Sequence, residues 1–246
     1  MAKNYNIITE TNNPLIAAIE TSGRLGSAAI AQGGQLLEKA YFSAPVKHSA
    51  EVFPTLEKML EKQKKTPNQI EQVYISIGPG SFTGLRIAAT IAKIMSLANQ
   101  TKTVTIDTLD LIAYNIHAYI AKNHRIPERI APILDAKRNR FYVAVFKYED
   151  GKYKKILPDC LMAADDFVQQ FSNTENPIAI FGEGLVYYED KFNSPGIEVL
   201  SKEYWNPLPQ NLHLLGWEKA AKGLFDLPLD IVPAYMQHPD AKIKKT

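Results

Sequence analysis

Residues 75–86 read ISIGPGSFTGLR, an apolar strand that runs into a turn with three glycines and two hydroxyl side chains. A long apolar helix follows directly. Such a junction presents backbone N–H groups at the positive end of a helix dipole, where a carboxylate or a phosphate can bind. The alternative is a tightly packed helix start, in which the glycines serve the turn and Ser81 or Thr83 caps the helix.

The composition of the chain bounds its class. With 246 residues, 46% of them hydrophobic, it can form one large domain or two small ones. A net charge of +2 gives no strong field for nucleic acid, and its short lysine and arginine clusters are typical of solvated faces. The single cysteine, Cys160, excludes an internal disulfide and fits a reducing compartment.

The chain carries no obvious targeting or membrane segment. Its first residues lack the apolar core of a signal peptide, and no uncharged apolar stretch approaches the roughly 20 residues of a membrane span. We therefore expect a soluble, cytoplasmic protein.

Hydrophobic periodicity divides the chain into alternating strands and helices, which is typical of an α/β protein. The predicted strands are 15–19, 27–31, 35–43, 72–77, 103–106, 130–134, 141–148, 152–156 and 178–181. The predicted helices are 49–62, with Ser49 as its N-cap, 85–99, 109–122, 163–171 and 212–224.

A unit of three consecutive strands recurs roughly 115 residues after the first, which indicates a duplicated fold. The expected division is a polar extension at 1–13, a first lobe at 14–106, a second lobe at 107–210, and a C-terminal helix and tail at 211–246 that packs back on the first lobe.

Most motifs of enzyme chemistry are missing. Gly84 is followed by Leu85-Arg86, whereas a phosphate-binding P-loop needs a lysine and a hydroxyl residue there. Val52 stands one helical turn after His48, so no histidine pair is present there to hold a metal. Residues 80–84 have Phe82 at the centre, where a nucleophile elbow has serine.

Two sets of polar residues remain. Asp107, Asp110 and Asp135 form a scattered acidic set, although Asp107 is favoured as a helix cap. The turn after the first strand and the glycine loop end neighbouring strands, where open α/β sheets bind ligands. The candidate ligand or anion site comprises Thr21, Ser22, Gly78, Gly80, Ser81, Thr83 and Gly84.

Several segments in the same order resemble the TsaB (YeaZ) family. They are 16–22, His48-Ser49 with Pro54, 78–87, 134–137 with 141–144, and 233–235 with 239–241. This family is the non-catalytic partner subunit in the bacterial machinery that places threonylcarbamoyl on the adenosine next to the tRNA anticodon.

Three positions depart from the pattern of the family. Glu20 replaces the usual aspartate, Ala88 replaces a glycine, and Gln237-His238 replace arginines. Glu20 resembles the catalytic paralogue TsaD, but the paired histidines that hold metal in TsaD and its serine-glycine-glycine-histidine loop are missing here. The resemblance therefore implies a pseudo-enzyme with no catalytic residue, metal or cofactor of its own.

The resemblance also implies an actin-like, two-lobed fold and a scaffold role. The protein is expected to heterodimerise with TsaD and to support recruitment of the ATPase TsaE. TsaD then transfers the group from threonylcarbamoyl-adenylate, so ATP, magnesium and tRNA are reached through the partners. Alone, the protein is expected to form a homodimer through the same surface.

Helix 85–99 is apolar almost all round, so it is either fully internal or part of a subunit interface shared with the first helix. The expected interface lies on the helices 49–62 and 85–99, because obligate interfaces are more apolar than ordinary surface. Its candidate residues are Val52, Phe53, Leu56, Met59, Leu60, Leu85, Ala88, Ile91, Ala92 and Met95. Two alternatives stay open: an enzyme acting alone, either an actin-like ATPase or a metalloprotease of the glycopeptidase type, and a direct tRNA-binding module.

Overall fold

The computed structural model describes residues 13–44 and 47–234. Residues 1–12 of the predicted extension, and the part of the motif 233–235 with 239–241 that follows Ala234, therefore lie outside the described residues. Among the helices of the described part, none is long and apolar enough to cross a membrane.

The first lobe is built on a five-stranded sheet with the order β3-β2-β1-β4-β5. Its strands are β1 (Leu15–Glu20), β2 (Ser27–Gln32), β3 (Gln35–Tyr41), β4 (Ile70–Gly78) and β5 (Lys102–Asp107). β1 pairs antiparallel with β2 and parallel with β4. Because β1 and β4 are central and covered on both faces, they read as nearly continuous apolar runs rather than as alternating ones.

Two helices cover one face of this sheet, α1 (His48–Lys62) and α2 (Phe82–Asn99). The apolar stripe of α1 is buried against the sheet, as its period indicates. Ser49 is not the N-cap of α1, because the helix begins one residue earlier and Lys47 occupies the cap position without a side-chain hydrogen bond. Ser81 does cap α2, since its hydroxyl accepts a hydrogen bond from the backbone N–H of Gly84.

The second lobe repeats the strand order of the first. Its sheet is β10-β9-β6-β7-β8, formed by β6 (Arg129–Asp135), β7 (Arg140–Glu149), β8 (Lys152–Ala163), β9 (Ile178–Phe181) and β10 (Ile197–Val199). The first three strands of each lobe form an antiparallel meander, and the fourth adds parallel to the first. The predicted duplicated, actin-like α/β fold is confirmed.

The sequence did not predict every element of the second lobe. β8 extends seven residues beyond the predicted end at 156 because it stays paired with β7, and β10 was missed because it has only three residues. The predicted helix 109–122 is two helices, α3 (Thr108–Ala113) and α4 (Ile116–Asn123). The break falls at Asn115, whose buried amide donates hydrogen bonds to the carbonyls of Tyr204 and Asn206.

α5 (Ala164–Phe171) packs into the core of the second lobe, whereas α6 (Pro209–Ala220) returns to the first lobe. Leu212 on α6 is buried on the sheet face opposite α1 and α2, together with Tyr74 and Val104. The first sheet is thus covered on both faces, and one of its covering helices comes from beyond the second lobe.

Candidate functional site

The turn between β1 and β2, residues 20–26, meets the glycine loop at the start of α2. The Thr21 hydroxyl donates a hydrogen bond to the Gly84 carbonyl at 2.7 Å. The Ser81 N–H donates to the Ser22 carbonyl at 2.8 Å. The two segments are therefore bonded directly to each other.

This close approach explains why glycine occupies position 84. A Cβ added to Gly84 would overlap the Thr21 carbonyl oxygen, which is backbone and cannot rotate away. The structure thus brings Thr21, Ser22, Ser81 and Gly84 together, as the sequence predicts, and it uses their polar groups for contacts within the lobe.

The remaining members of the predicted anion site are Gly78, Gly80 and Thr83. Gly80 also packs against the backbone of Ser22, where a Cβ would come within 2.6 Å of the carbonyl oxygen. Gly78 faces Ala234 and Leu85, and Thr83 is exposed in the first turn of α2.

Glu20, at the end of β1, is a fully buried carboxyl group. Its Oε1 accepts hydrogen bonds from the Ser22 N–H at 2.6 Å, from the Ser22 hydroxyl at 2.5 Å and from the Gly23 N–H at 3.3 Å. Burial raises the pKa of Glu20, and the hydrogen bonds from Ser22 and Gly23 oppose that rise. The carboxyl group therefore fills the inside of the β1–β2 turn.

A second carboxyl group reaches the same turn from the other lobe. Glu183, which follows β9, accepts a hydrogen bond from the Arg24 N–H, at 2.9 Å to Oε2 and 3.2 Å to Oε1. Burial, with a further contribution from the negative charge of Glu20, raises the pKa of Glu183 to about 7. This residue is missing from the predicted site, and only the Gly-Glu-Gly pattern after an apolar strand signals it.

An acidic cleft of about 350 Å³ lies between the lobes, lined by Gly78, Pro79, Asp107, Lys155, Pro158, Asp159 and Ala234. Lys155 lies 2.6 Å from an oxygen of Asp110 and 2.7 Å from one of Asp159. Burial, reinforced by those two aspartates, raises the pKa of Asp107. The cleft is therefore a cluster of ion pairs at the ends of β4 and β5.

The three predicted acidic residues are not one site. Asp107 occupies the cap position of α3 but makes no side-chain cap hydrogen bond, and Asp110 pairs with Lys155. Asp135 is elsewhere and binds Lys137. Within residues 13–44 and 47–234, no three histidine, cysteine or acidic side chains are grouped so as to hold a metal ion.

The structure covers eight of the ten predicted interface side chains within their own lobe. The residues concerned are Val52, Leu56, Met59, Leu60, Leu85, Ala88, Ile91 and Ala92. Met95 is half-buried, and only Phe53 is exposed. The covered side chains pack on the sheet and are not available to a partner.

The outer surface of these helices carries other apolar side chains. Ile94 and Leu97, three residues apart on one face of α2, are 52% and 71% exposed. A 3₁₀ turn at Pro228–Asp230 contacts α2, and Leu227, Leu229 and Val232 around it are also exposed. We call these five residues and Phe53 the outer apolar surface.

Comparison with known proteins places this geometry in a family. The family model for TsaD, tRNA N6-adenosine threonylcarbamoyltransferase, matches residues 43–204, about two thirds of the chain. The TsaB protein of Bacillus subtilis, a tRNA threonylcarbamoyladenosine biosynthesis protein, is 24% identical over 93% of this chain and 96% of its own length. The chain belongs to this TsaD-like family, in its TsaB (YeaZ) branch. The TsaB of Escherichia coli is 21% identical over 91% of this chain and 94% of its own.

Solved structures of the branch share the fold. YeaZ from Pseudomonas aeruginosa superposes with a TM-score of 0.74 at 20% identity, covering 90% of this chain and 99% of its own. A second Pseudomonas aeruginosa structure, of an uncharacterized protein with similarity to peptidase YEAZ, gives 0.76 at 20% identity over 91% of this chain and all of its own. The family and fold predicted from the sequence are confirmed.

Proposed function

We propose that this protein is a non-catalytic scaffold subunit of the machinery that makes threonylcarbamoyladenosine in tRNA. It binds a TsaD homologue and supports recruitment of a TsaE homologue. The names of the TsaB relatives, all biosynthesis proteins of this pathway, support the assignment to the pathway.

The observation that carries the scaffold role is the outer apolar surface. Leu97 and Leu227 are 71% and 72% exposed, so apolar side chains of α2 and of the C-terminal segment that contacts it lie in water. Contiguous exposed apolar surface marks a contact with another protein. Three of its six residues, Phe53, Ile94 and Leu97, lie on the two helices where the interface is expected, and Phe53 is one of the predicted side chains.

The β1–β2 turn supports the non-catalytic part of the proposal. Its backbone donors are bonded to Glu20 and Glu183 of the chain itself. ATP, magnesium and threonylcarbamoyl-adenylate are therefore assigned to the partners, and tRNA is reached through the complex. Alone, the protein pairs with a second copy through the outer apolar surface.

Replacing Leu97 by aspartate tests the interface. Leu97→Asp places a charge at one of the most exposed side chains of the outer apolar surface, and it should abolish co-elution with a TsaD homologue from the same cell. Ile126→Asp is the matched control, because Ile126 is 48% exposed on the second lobe, away from this surface. Substitution of Met59 or Ile91 would not test the interface, because both side chains are buried and their replacement would disturb folding.

Equal co-elution of wild type, Leu97→Asp and Ile126→Asp would remove the interface assignment. The non-catalytic role is tested separately by incubating the purified chain with ATP and magnesium and measuring phosphate release. We expect no turnover above the buffer, and robust turnover would favour the actin-like ATPase instead.

A further inference from the structure

The turn at Gly182–Gly184 is fixed firmly to its own lobe. A Cβ added to Gly182 would overlap the Ile133 carbonyl on β6, and one added to Gly184 would lie 2.9 Å from the same oxygen. Gly182 also has a φ of +133°, which side chains rarely adopt. The turn therefore lies flat against β6, and Glu183 between the two glycines points across to the first lobe.

Glu183 contacts the β1–β2 turn where Gly23 leaves room for its carboxyl group. Its carboxylate is bonded to the Arg24 N–H, and a Cβ on Gly23 would come within 3.1 Å of its Oε1. The Arg24 guanidinium lies over the ring of Tyr187 at 5.0 Å, which makes a second contact between the lobes.

Three successive backbone N–H groups of the turn, those of Ser22, Gly23 and Arg24, all point to carboxylates. The first two are bonded to Glu20 and the third to Glu183. Successive N–H groups in a turn form an anion-binding concavity. Here the chain supplies both acceptors, one carboxyl group from each lobe.

We propose that Glu183 is an interlobe latch: its carboxyl group occupies the β1–β2 turn and holds the two lobes in the arrangement seen here. Opening of the lobes breaks the bond to Arg24 and frees the Arg24 N–H. The latch needs no ligand, because the second lobe carries the acceptor itself.

The charged groups around the latch make it sensitive to pH. Glu20 and Arg24 face Glu183 from the β1–β2 turn, and the buried His48 approaches Gly23 from α1. With a pKa of about 7 against an ordinary value of 4.5, Glu183 favours the latched state when it is neutral. Ionisation beside Glu20 opposes latching, so the latch loosens as the pH rises through 7.

Amide hydrogen exchange of the full chain tests the latch. Glu183→Ala removes the acceptor, and the Arg24 amide should exchange at least about tenfold faster. Glu198→Ala is the control, because Glu198 forms an exposed ion pair with Arg125 in the second lobe and should leave the turn unchanged. Protection of the β1 and β4 amides reports whether each variant is folded.

A pH series keeps the proposal falsifiable even if Glu183→Ala does not fold. From pH 6 to pH 8, after correction for the intrinsic rate, exchange at Arg24 should rise about tenfold in the wild type, as a pKa of about 7 against 4.5 requires. Glu183→Gln keeps an acceptor without the charge and should show no such rise. Equal exchange in wild type and Glu183→Ala, or equal pH dependence in wild type and Glu183→Gln, would overturn the latch.

Discussion

The two lobes share one strand order but differ in the segment that comes after their fourth strand. After β4, the glycine loop leads into α2, a helix of 18 residues. After β9, the Gly182–Gly184 turn leads only into short 3₁₀ turns. The first lobe therefore carries a large helical surface at this place, and the second does not.

Both glycine segments nevertheless end at the β1–β2 turn. The loop of the first lobe is bonded to it within the lobe, through Thr21 and Ser81, and that of the second lobe reaches it from outside through Glu183. The duplicated fold is thus used asymmetrically: the first lobe presents the outer apolar surface, and the second lobe contributes a carboxylate that joins the two.

The largest effect is expected from adding one methyl group to the glycine loop of the first lobe. Gly84→Ala places a Cβ against the Thr21 carbonyl, and because the neighbour is backbone we expect a loss of roughly 4 kcal/mol in the free energy of unfolding, above the usual cost of overpacking. Urea denaturation measures it.

Gly223→Ala is the control for that loss. No atom lies within 4 Å of its added Cβ, so only its φ of +71° contributes, at a cost of about 1 kcal/mol. If the two variants lost equal stability, the tight contact of the loop with the β1–β2 turn would not be the reason for glycine at position 84.

A smaller loss is expected where α6 covers the first sheet. Leu212→Ala removes a fully buried side chain from the face shared with Tyr74 and should cost about 3 kcal/mol. Leu214, on the same helix, is 39% exposed, and its change to alanine should cost less than about 1 kcal/mol. Thermal denaturation measures both variants. Equal decreases in their midpoint temperatures would contradict this packing.

The smallest effect is the pH dependence of His213, which is buried between α6 and the first sheet and bonds through Nε2 to the Gly33 carbonyl at 2.8 Å. Burial lowers its pKa, so the native state binds fewer protons than the unfolded one, and stability falls as the pH drops below about 6.5. Each unit of lowering corresponds to about 1.4 kcal/mol.

His213→Gln keeps a donor for Gly33 and removes the titration. Denaturation midpoints between pH 7 and pH 5.5 should therefore fall less in this variant than in the wild type. A parallel fall in both proteins would show that His213 does not contribute to acid sensitivity, and would leave His48, whose pKa burial also lowers, as the group to test.

The strands and the duplication could be predicted from the sequence because they depend on local patterns. Short apolar runs bounded by turn residues predict β1, β2 and β9 to within one residue of their ends. The break at Asn115 could not be predicted, since it depends on hydrogen bonds to carbonyls roughly 90 residues away.

The candidate site was predicted only in part, for the same reason. Thr21 and Gly84 are predictable because strand ends meet at one edge of a sheet. Glu183 reaches its partner across the lobes, and the Gly-Glu-Gly pattern around it does not indicate that partner. In α2, periodicity cannot tell which side packs on the sheet, because apolar residues occur almost all round the helix. Ile91 is covered whereas Leu97 is not.

The return of α6 to the first lobe also bears on how the chain folds during synthesis. A ribosome delivers the N-terminal residues first. The first sheet is complete at Asp107, but Leu212 emerges roughly 100 residues later, and until then the apolar face around Tyr74 and Val104 lacks its helix. The core of the first lobe is therefore completed only after the second lobe has been synthesised, and we expect the two lobes to complete their folding together.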